Sequence, residues 1–171
     1  MTFFLIGFMG SGKTHWGKIW AEMNGFTFID LDAEIEKEAG KTVAAIFENM
    51  GEPYFREIEA TTLRRFEGAQ NTIIACGGGT PCFYENIKWM NEHGTTIYLS
   101  TTSSKILQRV LTEQEQRPLI KKMNPAELLF FIEKTLKERM SFYSAAKFTL
   151  VSGQLSDQSF GDLLITMQSP K

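Results

Sequence analysis

The segment Gly7-Phe8-Met9-Gly10-Ser11-Gly12-Lys13-Thr14 follows an unbroken apolar run, Phe3-Phe4-Leu5-Ile6. It precedes Trp16, Ile19, Trp20 and Met23, which are spaced as on one face of a helix. A buried strand, a glycine-rich turn fitting G-x-x-x-x-G-K-[ST] and a helix in that order admit few architectures. The glycines let the backbone turn so that successive N–H groups converge on phosphate oxygens. The helix that follows adds its positive N-terminal end. Gly10, Ser11, Gly12, Lys13 and Thr14 are therefore the expected nucleotide-binding residues. Lys13 supplies a point charge for the β- and γ-phosphates, and the Thr14 hydroxyl can ligate Mg²⁺. ATP and Mg²⁺ are the ligands this motif calls for. Trp16 and Trp20 are expected to face the core.

The rest of the chain alternates in the same way. Strands are expected over residues 25–30, 71–76, 95–99 and 148–151. Helices are expected over 13–24, 81–93, 103–111, 124–143 and 157–167, with a mostly helical stretch over 32–67 broken near Gly40 and Gly51. Strands alternating with helices imply a parallel α/β sheet with helices on both faces, whose ligands sit at the carboxyl ends of the strands. The chain has 171 residues, 43% of them hydrophobic, enough for one domain spanning 1–171 with a core that needs neither disulfide nor structural metal. The formal charge of −2 excludes a large positive field for duplex DNA or an anionic membrane, and no apolar run is long enough to span a bilayer. The N-terminus lacks the basic start of a signal peptide. Cys76 and Cys82, in a C-x5-C spacing with two histidines in the chain, read as reduced thiols of a cytoplasmic protein.

Acidic residues follow the second strand as Asp30-Leu31-Asp32. That strand is expected beside the first or one place removed, so its end lies near the phosphate loop. Asp30 suits a role toward Mg²⁺, which takes oxygen ligands, often through water. Asp32 either accepts a proton from an acceptor hydroxyl or caps the helix that begins at Ala33, and the two roles are compatible. Gly77-Gly78-Gly79 end the third strand, either as a flexible turn or as exposed backbone that a ligand can approach closely. Arg56 and Arg139 read alone as surface cations. Residues 112–122 are polar and without period, the best candidate for a mobile loop.

Taken with the phosphate loop, five further segments give a resemblance. These are Asp30-Leu31-Asp32, Phe55-Arg56-Glu57-Ile58-Glu59, Ile73 through Gly79, and Arg117-Pro118-Leu119 followed by Glu138-Arg139 and Tyr143. Together they resemble the shikimate kinases among the phosphate-loop small-molecule kinases. The resemblance implies a helical substrate-binding insert over about 32–60 and a lid over about 112–123. It implies ATP-dependent phosphorylation of shikimate to shikimate 3-phosphate by a cytoplasmic monomer. Lys13, Asp32 and Arg117 would be catalytic. Arg56, Arg139, Gly77, Gly78 and Gly79 would hold the acceptor together with Asp32. Arg109 and Arg117 would contact the nucleotide, and Thr14 and Asp30 the metal. Phe47, Phe55, Pro118 and Leu119 would wall the acceptor ring, with plain packing the alternative for the two phenylalanines. The chain departs from the family pattern at His15-Trp16, at Pro81, in two acids of the polar loop, and in having no proline near 151–155 to flank adenine. The alternatives are a gluconate or nucleotide kinase, and a non-catalytic homologue.

Overall fold

A computed structural model describes residues 1–112, 120 and 123–168. Five strands, β1 (Thr2–Ile6), β2 (Thr27–Asp30), β3 (Thr72–Ala75), β4 (Thr95–Ser100) and β5 (Phe148–Val151), form one sheet in the order β2-β3-β1-β4-β5. Every pair is parallel, with Phe4 opposite Ile74 and Leu5 opposite Ile97. The apolar run of β1 lies at the centre of the sheet, where both faces are covered. Phe3 and Leu5 enter one core with Trp20, Ile73, Ile97, Leu99 and Phe160. Phe4 and Ile6 enter the other with Leu31, Ile35, Ile46, Leu63, Ile74 and Tyr143. This alternation is the period-two geometry of a strand buried on two sides.

The first of these cores is closed by α1 (Lys13–Asn24) and α7 (Ser159–Gln168), which contribute Trp20 and Phe160. The second is closed by α2 (Leu31–Ala39), α3 (Val43–Arg64), α4 (Asn86–His93) and α6 (Pro125–Tyr143). A third cluster joins α5 (Ser103–Thr112) to α6 through Ile106, Val110, Leu128 and Ile132, with Phe8 of the glycine loop and Ile120. The loop is thus anchored by its own phenylalanine. Trp20 is fully buried, as expected, and Trp16 is half-buried and stacks on it with ring centroids 5.7 Å apart.

The two breaks expected in the 32–67 stretch are present, and two other expectations change. The break near Gly40 ends α2, where the backbone is left-handed at φ 61°. The second expected break falls at Gly51, whose non-helical φ 82° and ψ 168° kink α3 into two helical pieces, and Pro53 sits in the first turn beyond, where its missing N–H costs nothing. The helix expected over 81–93 begins at Asn86. Thr80–Cys82 makes a single 3₁₀ turn, and Tyr84 and Glu85 are left-handed at φ 49° and 54°. Arg64 of α3 stabilises that irregular segment, donating from Nη2 to Tyr84 O at 2.8 Å and from Nη1 to Asn86 Oδ1 at 2.7 Å. Finally, α2 starts at Leu31, and its cap is Asp30, whose Oδ1 accepts from Ala33 N at 3.4 Å. The capping alternative for Asp32 therefore falls, because Asp32 lies inside the first turn. Among the described residues no helix is long and apolar enough to cross a membrane.

Candidate active site

The glycine loop leaves β1 and enters α1 through Gly12, whose φ of 95° is a conformation that side chains disfavour. Lys13 is buried and curls back over the loop, with Nζ donating to Gly7 O at 2.7 Å and to Phe8 O at 2.9 Å. Its ammonium is thereby held inside the curve that the backbone amides line. Ser11 is fully buried, and its Oγ has no hydrogen-bond partner. Arg109, on α5, donates to Gly10 O at 2.7 Å and to Ser152 Oγ at 3.3 Å, and the Ser152 hydroxyl donates to Ser11 O at 3.1 Å. Arg109 therefore stands at the loop. Ser152, in the stretch without a flanking proline, braces the loop from the end of β5.

At the end of β2, Thr14 Oγ1 donates to Asp30 Oδ2 at 2.9 Å. The strand is one place removed from β1, with β3 between them. A hydroxyl beside a carboxylate is an all-oxygen donor pair, which suits a small hard cation that keeps waters and shares phosphate oxygens. Among the described residues no cluster of three or more His, Cys, Asp or Glu side chains forms a protein-only metal cage. The pair thus fits Mg²⁺ brought with a nucleotide.

Asp32 occupies the floor between this loop and the glycines after β3. Its Oδ1 is buried and has no hydrogen-bond partner. Burial, then the charges of Glu59 and Asp30, push its carboxyl from 3.8 up to about 6, against the opposing pull of Lys13 and Arg56. The carboxylate is poised near neutrality, the range in which a carboxyl can both hold and release a proton.

Arg56 and Glu59 share one face of α3. Arg56 Nη1 donates to Glu59 Oε2 at 2.8 Å, and its Nε and Nη2 donate to Glu52 Oε1 at 3.1 and 3.0 Å. The guanidinium carbon lies 4.5 Å from the centroid of the Phe83 ring, 5.1 Å from that of Phe55 and 5.8 Å from that of Phe47. The two phenylalanines weighed from the sequence therefore pack around the arginine itself. Gly79 is required for this proximity, since a Cβ there would lie 2.5 Å from Arg56 Nη2. A Cβ on Gly78 would lie 3.3 Å from Arg139 Nη1, and one on Gly77 would lie 3.2 Å from Asp32 Oδ1. The triple glycine thus brings two arginines and the carboxyl against bare backbone. Tyr143 fixes the middle glycine by donating from its hydroxyl to Gly78 O at 2.7 Å, and burial holds its phenol well above the usual range.

The fold accordingly gathers Gly10, Ser11, Gly12, Lys13, Thr14, Asp30 and Arg109 on one side, and Asp32, Arg56, Gly77, Gly78, Gly79 and Arg139 on the other. Arg117, Pro118 and Leu119, and most of the expected lid, lie outside the described residues. The sequence reading missed Phe83, Thr80 and Ser152. Only Phe83 had a visible signal, an aromatic four residues past the last glycine.

A phosphate-cradling loop that adjoins an arginine-lined pocket on the carboxyl rim of a parallel sheet is the layout of a small-molecule kinase of the phosphate-loop class. A profile of the shikimate kinase family matches residues 9–168. The chain is 39% identical over 155 residues to a shikimate kinase of Phocaeicola vulgatus, covering 91% of this chain and 89% of that one. Its fold is similar to that of a Bacteroides thetaiotaomicron shikimate kinase, with a TM-score of 0.92, 35% identity and coverage of 96% of this chain and 98% of that one. It is also similar to an Acinetobacter baumannii shikimate kinase solved in complex with shikimate, with a TM-score of 0.87, 32% identity and coverage of 99% and 95%. The chain belongs to the shikimate kinase family.

Proposed function

We propose that this chain transfers the γ-phosphoryl group of ATP to a hydroxyl of shikimate, giving ADP and shikimate 3-phosphate. One observation carries the reading: two arginines, Arg56 and Arg139, converge on bare glycine backbone beside a buried carboxyl and the phosphate loop. Shikimate is a ring acid bearing hydroxyls, and the planar guanidinium is the side chain best matched to a carboxylate. Its relative from Acinetobacter baumannii was solved with shikimate bound, which supports the same acceptor here.

In this reading Arg56 and Arg139 hold the carboxylate, and Gly77, Gly78 and Gly79 let the ring approach the backbone. Asp32 accepts a hydrogen bond from the reacting hydroxyl and takes its proton. Lys13 and the loop amides hold the phosphates, and Arg109 stands by the nucleotide. Arg117, outside the described residues, is assigned the neutralising of charge on the transferring group. Thr14 and Asp30 would hold Mg²⁺, which supplies charge neutralisation at the phosphates when bound. Phosphoryl transfer has a loose transition state, so positioning and charge stabilisation outweigh the base. The same reading has residues 1–171 acting as one cytoplasmic, monomeric domain with an acceptor-binding insert over 32–60 and a lid over 112–123. The test is a panel of acceptors (shikimate, gluconate and nucleoside monophosphates) incubated with MgATP, with ADP as the readout. ADP release with shikimate alone is expected. Turnover of a nucleotide or gluconate but not shikimate would overturn the substrate. Calorimetric binding of shikimate without turnover would mark a non-catalytic homologue.

A further inference from the structure

Glu59 is fully buried, and a buried carboxylate needs a donor at each oxygen. One donor is Arg56, through Nη1 to Oε2 at 2.8 Å. The other is Thr80, also fully buried, whose hydroxyl donates to Oε1 at 2.6 Å. Thr80 is itself held from behind: Asn86 Nδ2 donates to its carbonyl at 2.9 Å, and Arg64 Nη1 donates to Asn86 Oδ1 at 2.7 Å. The consequence falls on Arg56. An arginine facing a carboxylate with both oxygens free is drawn into a two-bond fork. With Oε1 taken by Thr80, Arg56 meets Glu59 through Nη1 alone. Its Nε–Nη2 edge then points to the pocket wall, where the Glu52 carboxylate, 53% exposed, now accepts from both nitrogens. That edge presents two parallel donors, a pair able to bind a ligand carboxylate bidentately.

We propose that Thr80 is a positioning residue for acceptor binding, setting Glu59 so that the Nε–Nη2 edge of Arg56 stays turned toward the acceptor's carboxylate. The inference rests on the reading of Arg56 as a carboxylate-binding arginine. Thr80 touches no ligand in it and acts through Glu59.

The test is steady-state kinetics on the full chain for T80V, T80A and T80S, with shikimate binding measured by calorimetry. Without the hydroxyl, Arg56 swings onto both oxygens of Glu59 and the acceptor loses its fork. In T80V and T80A, KM and Kd for shikimate rise about tenfold, while kcat changes less than about threefold and KM for ATP stays put. T80S, which keeps the donor, stays within about twofold of the parent. T80A removes atoms without adding any, so it carries the test if T80V does not fold. A shikimate KM unchanged in T80A, or T80S as impaired as T80A, overturns the inference while leaving the proposed reaction standing. A parent protein that neither binds nor phosphorylates shikimate overturns the proposed reaction and this inference with it.

Discussion

Asp32 ionises in a pocket that already holds Glu59 and Asp30, and burial with those charges pushes its carboxyl up to about 6. The folded chain therefore binds a proton more readily than the unfolded one. Stability from this group is complete below the unfolded value near 3.8 and is lost as pH rises through about 6. At pH 7.5 the ionised carboxylate is a burden, and D32N relieves it. D32N is expected to unfold at a higher temperature than the parent at pH 7.5, by about 1–2 kcal/mol or a few degrees, with the gain vanishing near pH 4. Thermal scans at the two pH values check this, and an equal gain at both would contradict it. Activity runs the other way. D32N keeps an oxygen that accepts from the reacting hydroxyl but cannot take its proton, and is expected to lower kcat by about 10- to 100-fold. K13A removes a charge held inside the loop and is expected to lower kcat about 1,000-fold or more. Single-turnover rates at saturating MgATP give the order, and equal or reversed losses would refute it.

At the scale of elements, the turn after β3 illustrates what a pattern conveys and what it hides. The triple glycine announces backbone that something must approach, yet it does not say what. The structure answers with Arg56 against Gly79 and Arg139 against Gly78. Gly79 has φ −93°, which any residue tolerates, so G79A carries no backbone strain and its effect comes from the side chain it would strike. G79A is expected to displace the Arg56 guanidinium and raise KM for shikimate at least about tenfold, with KM for ATP unchanged. Kinetics with each substrate varied in turn would show it, and an unaltered shikimate KM would mean Arg56 does not serve the acceptor. The helix after this turn was misplaced by five residues for a related reason. Pro81 looked like a helix start, but two left-handed residues held by Arg64 intervene, and a contact from 20 residues away leaves no local mark. The start of α6 was legible because its signal is local. Asn124 caps Ala126 N and Glu127 N while Glu127 returns a bond to Asn124 N. N124A is expected to cost about 1 kcal/mol of stability, read as a lower urea midpoint at unchanged slope.

Across the whole molecule, the sheet and both of its covered faces were legible, because β1 through β5 are short apolar runs separated by periodic helices. The phosphate half of the site was legible too, since its residues are contiguous. The acceptor half was not readable from periodicity: Asp32, Arg56, Gly79 and Arg139 lie on four segments, and each arginine alone looks like a surface cation. Only the topology makes them neighbours, by setting α2, α3 and α6 on the same face as the rim of β3. A ligand that bridges those segments binds the folded chain and not the unfolded one, so it must stabilise the fold as a whole. Shikimate at about 100 times its Kd is expected to add about 2.7 kcal/mol, which for a domain this size is a rise of about 5–10 °C in Tm. R56A and R139A should each forfeit that rise at the same shikimate concentration, because a truncated arginine removes the charge-assisted bonds that set Kd. R56A should keep the rise given by MgATP, whereas Arg139, whose guanidinium carbon lies 5.8 Å from the ring centroid of Phe8 in the phosphate loop, is judged by its shikimate response alone. Thermal scans with each ligand separately decide the matter: an R139A chain that shikimate still stabilises as fully as the parent would break the link between that arginine and the acceptor, and with it the two-sided pocket.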